Sequence, residues 1–247
     1  MLKKLLLWSA PFVAMSLLSS CSTQEVPSTI TFEGDVSGAY SIQLRNADGT
    51  FSVVAAPVII KDDVFEISFD TTRMVSFLPI TGELPVVHAV VGPSTTKLTV
   101  NEEGYISGDA ENNWLGAQRE MQLDLIAFIE RLDAIRETYT DSTTFNGLQA
   151  LDSSFYAYAQ QYRSRILDTL TSKPELLSNM MVVYHRIGQN PVVDYVVDRE
   201  LFIAARKALE KDYPGSDDVA AFGIWVDGFE ESYQFSLQVK EAAIKFT

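Results

Sequence analysis

Residues 105–139 have the sequence YISGDAENNWLGAQREMQLDLIAFIERLDAIRETY. They contain the point, near Asn112, at which the pattern of apolar residues changes. Before it, apolar and polar residues alternate, as they do in strands with one buried face. After it, apolar residues recur every three or four positions, which is typical of an amphipathic helix. These positions are Met121, Leu125, Phe128, Leu132, Ile135 and Tyr139. The sequence therefore predicts a β part followed by a helical part.

The β part is predicted to cover residues 30–109. Residues 64–69 show the clearest alternation, with Phe65, Ile67 and Phe69 sharing one face. Turn sequences rich in Gly, Pro and Asn separate the apolar segments, as at Asn46-Ala47-Asp48-Gly49. About eight short strands with such turns predict an antiparallel β-sandwich or an open barrel.

The helical part is predicted to cover residues 110–247 and to be mostly antiparallel. A second apolar stripe follows the first and predicts a helical hairpin. Its members are Leu148, Leu151, Phe155, Tyr158 and Tyr162. A third helix is expected from Pro174 through Arg186, a fourth from Asp198 to Lys211, and a fifth with Phe222 and Trp225 inward. The predicted fold class is α+β.

The first residues predict export and lipid attachment. Two lysines precede an apolar run, Leu5 to Leu18, of about 14 residues, whereas a helix needs roughly 20 to cross a bilayer. A short apolar run followed by small residues is typical of a cleaved signal peptide, here residues 1–20. The small residues stand directly before Cys21, the only cysteine. The pattern resembles a bacterial lipobox, so Cys21 is the predicted lipid-attachment residue; an ordinary secretory signal is the alternative.

The net charge and the polar segment after the signal peptide limit the expected partners of the protein. The formal net charge is −14, and becomes −16 when Lys3 and Lys4 are removed with the signal peptide. Such a charge argues against nucleic acid and against broad contact with anionic headgroups. Residues 21–29 are polar and predict a tether. The expected partners are the membrane, through the lipid anchor, and a protein of the cell envelope. Ser22 favours the periplasmic face of the outer membrane over the inner membrane.

The sequence offers little for catalysis. With Cys21 acylated, the mature chain has no CxxC pair and no free thiolate. His88 lies in a predicted strand and His185 in a predicted helix, and a zinc site needs three or four ligands. Nucleophile-elbow, phosphate-loop and dinucleotide-binding motifs do not occur in the sequence. We therefore predict no catalytic residue, no metal, no cofactor and no enzymatic activity.

Adjacent carboxylates occur four times in the chain. They are Asp62-Asp63, Glu102-Glu103, Asp217-Asp218 and Glu230-Glu231. Glycosidases use two carboxylates, but those face each other across a cleft and are not sequence neighbours. We interpret all four pairs as surface residues, with Asp217 and Asp218 near a helix N-terminus, where negative charge is favourable.

The order of these parts resembles a known family. A lipobox precedes a β part that opens at Ile30-Thr31-Phe32-Glu33-Gly34 and closes at Tyr105-Ile106-Ser107-Gly108. Gly188-Gln189-Asn190-Pro191 and Tyr213-Pro214-Gly215-Ser216 then interrupt the helices. This is similar to the N-terminal region of TlpA-like thiol–disulfide interchange lipoproteins of Gram-negative bacteria. In that family a β domain of unknown function and a helical spacer precede a thioredoxin-like domain.

The resemblance implies a shared scaffold and location. The sequence ends at Thr247, about where the thioredoxin-like domain would begin, and CxxC does not occur in it. No redox residue can therefore be carried over, and the resemblance does not imply oxidoreductase activity.

Three functions remain open at this point. The first is a lipid-anchored, non-catalytic binding or accessory module of the envelope, which could dock a separate thioredoxin-like protein. The second is an envelope hydrolase with a carboxylate/histidine site at the junction of the two parts. The third is a relic of an oxidoreductase that lost its catalytic domain. An imidazole within hydrogen-bond reach of a carboxylate, inside a cleft, would favour the hydrolase.

Overall fold

The computed structural model describes residues 28–32, 38–46, 48, 50–53, 58–60, 64–67, 69–81, 85–93, 97–139, 144–187 and 189–245. The strands of the two main sheets precede the helices along the chain, and the predicted α+β class is confirmed. The predicted signal peptide, Cys21 and most of the tether lie outside the described residues. No helix among the described residues is both long enough and apolar enough to span a bilayer.

The strands form two main sheets. The strands are β1 Ser28–Phe32, β2 Gly38–Arg45, β3 Phe51–Val53, β4 Val58–Ile60, β5 Val64–Ile67, β6 Arg73–Thr81, β7 Val87–Val91, β8 Lys97–Val100 and β9 Ile106–Ser107. One sheet has the order β5-β1-β8-β9 and the other β3-β2-β6-β7, with β4 also paired to β2. The pairs are antiparallel except β1 with β8, which is parallel and departs from the all-antiparallel prediction. The described strands leave both sheets open.

The helices follow directly. They are α1 Ala110–Glu137, α2 Thr144–Ser172, a 3₁₀ helix Leu177–Tyr184, α3 Tyr195–Asp212 and α4 Asp217–Lys245. The side chain of Asp109 caps α1 by accepting from Asn112 N–H. Helices α1 and α2 run antiparallel, because Phe128 stacks on Tyr158 with centroids 4.3 Å apart while Tyr139 lies against Gly147.

The third predicted helix is wrong in type and length. The segment is a 3₁₀ helix, Leu177–Tyr184, followed by a short hairpin of β10 Arg186–Ile187 and β11 Asn190–Pro191. A repeat of three places both Leu177 and Met180 in the core, where they are almost fully buried. The segment also ends early because His185 already has an extended backbone. Tertiary packing therefore overrides the helical pattern here.

One hydrophobic core joins the β part and the helical part. Val75, Phe77 and Val91 of the sheet and Met121 and Leu177 of the helical part belong to the same buried cluster. Gly116 of α1 lies close to Ile106 of β9: a Cβ added to Gly116 would lie 2.2 Å from the Ile106 carbonyl oxygen. The junction between sheet and helices is therefore a packed interface.

Candidate functional site

A groove opens at this junction, and we call it the junction groove. Its first pocket has a volume of about 220 Å³ and lies among β7, β9, α1 and the 3₁₀ helix. Its second pocket, of about 190 Å³, lies among β2, β3, β6 and the N-terminus of α4. His88, Met181 and Tyr184 line both pockets. The two pockets are thus adjacent parts of one groove.

Both histidines of the chain line this groove, although they are far apart in sequence. His88 lies on β7 and its Nδ1 is 3.0 Å from Ser76 Oγ. His185 follows the 3₁₀ helix and its Nδ1 is 2.9 Å from Tyr162 Oη. Burial is the main reason that the pKa of each imidazole falls to about 4. Both rings are therefore neutral at pH 7, and each has one N–H donor and one nitrogen acceptor.

The two imidazoles pair with hydroxyls, which argues against the carboxylate/histidine site expected for a hydrolase. Within the described residues, the imidazoles of His88 and His185 form hydrogen bonds with the hydroxyls of Ser76 and Tyr162, and neither bonds a carboxylate. A base with a pKa near 4 is also poorly matched to proton transfer at neutral pH. The histidines thus supply polarity to a cleft without the geometry of a charge-stabilised base.

The interpretation of the acidic pairs as surface residues is wrong for Asp218. Its side chain is fully buried, and Oδ2 accepts from Arg73 Nε and from Met74 N–H, each at 3.1 Å. Asp217 also pairs with Arg73, at 3.2 Å. Burial raises the pKa of the Asp218 carboxyl, and these hydrogen bonds oppose that effect. Asp218 thus joins α4 to β6 and lines the second pocket.

Glu230 keeps a partly exposed side chain, as a surface residue does, and it also joins two helices. Its carboxylate accepts from Tyr195 Oη at 2.8 Å and from Arg199 Nε and Nη2 at 2.6 and 2.7 Å. The Arg199 guanidinium is the main reason that the pKa of Glu230 falls to about 2. This cluster joins α3 to α4. It lies outside the groove, because none of its residues lines either pocket. Of the other pairs, Glu102-Glu103 is exposed and Asp62-Asp63 lies outside the described residues.

Two buried oxygens have no hydrogen-bond partner among the residues that the structure describes. They are Asp218 Oδ1 and Gln118 Oε1, which belong to residues lining the second pocket and the first. Gln118 is 3% exposed, and its Nε2 donates to the Ser178 carbonyl at 3.2 Å, which fixes the amide. A buried acceptor left without a donor costs about 1–3 kcal/mol, so such atoms are typical of functional positions.

Arg45 forms a cationic rim on the second pocket. Its guanidinium lies 5.2 Å from the ring centroid of Phe51 and 5.0 Å from that of Tyr184. Within the described residues it makes no ion pair. Both rings are about half exposed, at 56% and 46%. The rings hold the guanidinium in place, and its N–H groups donate no hydrogen bond to the residues that the structure describes.

The 3₁₀ helix that carries Met180, Met181 and Tyr184 is fixed by a single carboxylate. Glu111 of α1 accepts from the N–H groups of Leu177 and Ser178, at 2.7 and 2.9 Å. The same carboxylate accepts from the Ser178 hydroxyl and from Tyr213 Oη. Glu111 therefore satisfies the N-terminal donors of the 3₁₀ helix and sets one wall of the groove.

Sequence reasoning missed several groove residues. Arg45, Gln118 and Asp218 come from β2, α1 and α4, and no local pattern brings them together. The one available signal was their polarity at positions that pack on apolar faces. Among the described residues, no group of three or more histidine, cysteine, aspartate or glutamate side chains could hold a metal ion. Cys21, the predicted lipid-attachment residue, lies outside that set.

Comparison with known proteins found no match among family models, curated proteins or solved structures. The resemblance to TlpA-like lipoproteins therefore stays a prediction.

Proposed function

We propose that this chain is a lipid-anchored, non-catalytic binding module of the cell envelope, and that its ligand occupies the junction groove. The N-terminal pattern ending in Cys21 supports the anchor and the location. The observation that carries the binding function is the pair of unpartnered buried oxygens, Asp218 Oδ1 and Gln118 Oε1, in the lining of one groove. A bound ligand with donor groups would remove their cost.

Hydrolysis is the weaker candidate. It requires a base near neutral pKa and a group that orients it. The imidazoles have pKa values of about 4, and their partners are hydroxyls. Binding needs only the shape and the unpartnered polar groups.

Methionine methyl NMR tests binding with an internal control. The chain has six methionines. Met1 and Met15 lie in the predicted signal peptide, so the mature chain keeps Met74, Met121, Met180 and Met181. Met74, Met180 and Met181 line the groove, whereas Met121 is 1% exposed in the core.

The experiment uses the processed, acylated protein in nanodiscs, with ¹³C-labelled methionine methyls. A fragment library of mixed charge is expected to contain members that shift the methyls of the groove and leave Met121 in place. If no member shifts a groove methyl while Met121 keeps its native signal, the binding function is wrong.

The anchor is tested separately with Cys21→Ala. This variant is expected to lose acylation and membrane retention while its folded part stays intact. Mass spectrometry of the N-terminal peptide and membrane fractionation are the measurements. Normal processing and retention of Cys21→Ala would contradict the lipoprotein assignment.

A further inference from the structure

We propose that the junction groove binds the carboxyl-terminal end of an extended peptide with apolar side chains, whose α-carboxylate is held by Arg45. This inference rests on the binding function proposed above and names its ligand class. It combines three independent properties of the groove: its charge, its unpartnered acceptors and its apolar wall.

The charge of the groove is opposite to that of the protein. The chain carries a net charge of −14, yet the arginines that line the groove, Arg45 and Arg119, have no carboxylate partner among the described residues. Asp218 is the carboxylate in the lining, and it shares Arg73 with Asp217, so Arg45, Arg73 and Arg119 exceed these two carboxylates by one charge. The local excess is therefore positive, and it favours an anionic group.

Arg45 is suited to a carboxylate in particular. The guanidinium presents a planar set of N–H donors that matches the two oxygens of a carboxylate. Contact with Phe51 and Tyr184 orients this plane without using its donors. Arg119, by contrast, donates to the Glu103 carbonyl at 3.4 Å. Arg45 is thus the preferred site for the anionic end of the ligand.

The unpartnered oxygens favour a ligand that also donates. Asp218 Oδ1 and Gln118 Oε1 are buried acceptors on residues that line the second pocket and the first. Fatty acids offer a carboxylate and an apolar tail, but no donor for these atoms. Peptide backbone supplies an N–H at every residue except proline. A peptide terminus therefore offers donors for these acceptors as well as a carboxylate for Arg45.

The wall between these polar points is apolar and adaptable. Met74, Met180 and Met181 line the second pocket together with the rings of Phe51 and Tyr184. Unbranched thioether side chains adjust to irregular apolar groups, which suits them to side chains of varied shape. Capture of a terminal carboxylate beside an apolar pocket is a known mode of peptide recognition. Free apolar amino acids share this chemistry, so the test separates the two sources.

The experiment is a titration of the acylated protein in nanodiscs, followed by the methionine methyl signals. The probes are N-acetyl-Ala-Leu-Phe with a free carboxylate, the same tripeptide as its carboxamide, free leucine, and decanoate. The free-acid tripeptide is expected to shift Met74, Met180 and Met181 but not Met121. Its affinity is expected to exceed that of each other probe at least tenfold, which corresponds to about 1.4 kcal/mol.

Variants assign the carboxylate to Arg45. Arg45→Gln is expected to bind acid and carboxamide tripeptides equally, and Arg45→Lys to keep part of the preference. Arg165→Gln is the matched control, since Arg165 is exposed on α2 and makes no ion pair among the described residues; it is expected to keep the full preference. An unchanged Met121 signal confirms that each variant is folded.

Several outcomes would overturn the inference. They are equal binding of acid and carboxamide by the wild type, decanoate or leucine binding as tightly as the tripeptide, and a preference that survives in Arg45→Gln. If neutral or cationic fragments shift the groove methyls and the tripeptide does not, the proposed peptide ligand is wrong. The proposed binding function is then retained. If neither fragments nor tripeptide shift them, both proposals fail.

Discussion

The side-chain amide of Asn112 forms hydrogen bonds with both backbone polar groups of Val90. Its Oδ1 accepts from the Val90 N–H at 2.8 Å, and its Nδ2 donates to the Val90 carbonyl at 2.8 Å. Val90 lies on β7, the last strand of its sheet. Helix α1 thus supplies to this strand the contacts that a further strand would make, and positions His88 on β7 relative to Gln118 on α1.

Replacing Asn112 should destabilise the whole junction. Asn112→Ala leaves the N–H and the carbonyl of Val90 unpartnered at a site where Asn112 is fully buried. We expect a loss of about 2–5 kcal/mol in the free energy of unfolding, measured in urea. Asn113→Ala is the control, because Asn113 is exposed and accepts one hydrogen bond from Gly108 N–H at 3.0 Å. An equal loss in both variants would contradict the role given to Asn112.

Gly116 should not tolerate a methyl group. Because an added Cβ would lie 2.2 Å from the Ile106 carbonyl oxygen, Gly116→Ala must move α1 away from β9. We expect a loss of about 1–3 kcal/mol by the same urea measurement.

Gly228→Ala provides the opposite control. Gly228 lies within α4, and an added Cβ there meets nothing within 4 Å. Alanine has the higher helix propensity, so Gly228→Ala should stabilise the protein by about 0.5–1 kcal/mol. Equal effects of the two alanines would show that the contact between Gly116 and Ile106 is not close.

Glu111→Gln should loosen the wall of the groove. The carboxylate accepts four hydrogen bonds, and an amide in its place has only one oxygen, so two donors would face an NH₂ group. We expect a loss of about 2–4 kcal/mol in stability and broadened methyl signals from Met180 and Met181. Glu120→Gln, at an exposed position of the same helix, should change neither. Sharp, unshifted Met180 and Met181 signals in Glu111→Gln would contradict this role.

The elements that the sequence predicts well are those whose pattern is local. The apolar stripe of α1 places Met121 and Leu125 in the core, and burial alternates with period two along β2 and β8. The apolar pattern predicts burial less well near the C-terminal end of α1. Ile135 continues the stripe there, yet it is 44% exposed. Periodicity records which residues share a face, and the extent of the partner surface decides how much of that face is buried.

Contacts between distant residues were not predictable from the sequence. Asp218 has the spacing of an ordinary helix N-terminus, and only its contact with Arg73, 145 residues away, shows that it is buried. The 3₁₀ helix depends on Glu111, 66 residues before Leu177. His88 and His185 are brought to one groove by the same long-range packing. The candidate site is thus a product of tertiary structure and leaves little trace in local pattern.

The two histidines should make the protein less stable as the pH falls. Their pKa values are about 4 in the folded state, whereas the ordinary pKa of an exposed imidazole is 6.5. Between these limits the unfolded chain binds more protons than the folded one, so stability falls as the pH decreases from 6.5 towards 4. At pH 5 each histidine is expected to cost about 2 kcal/mol relative to pH 7.5. Urea unfolding at intervals of pH measures this slope.

Removing the histidines should flatten that slope. The variant with both His88→Gln and His185→Gln lacks these titrations, and its stability should change much less between pH 6.5 and 5 than that of the wild type. Glu230→Gln is the control: the pKa of Glu230 is about 2 and the ordinary pKa of a glutamate is 4.5, so its contribution is present above pH 4.5 and is lost only below. Its curve should run parallel to that of the wild type from pH 6.5 to 5. If the double histidine variant keeps the full slope, protonation of the groove imidazoles does not limit stability, and other groups must titrate in this range.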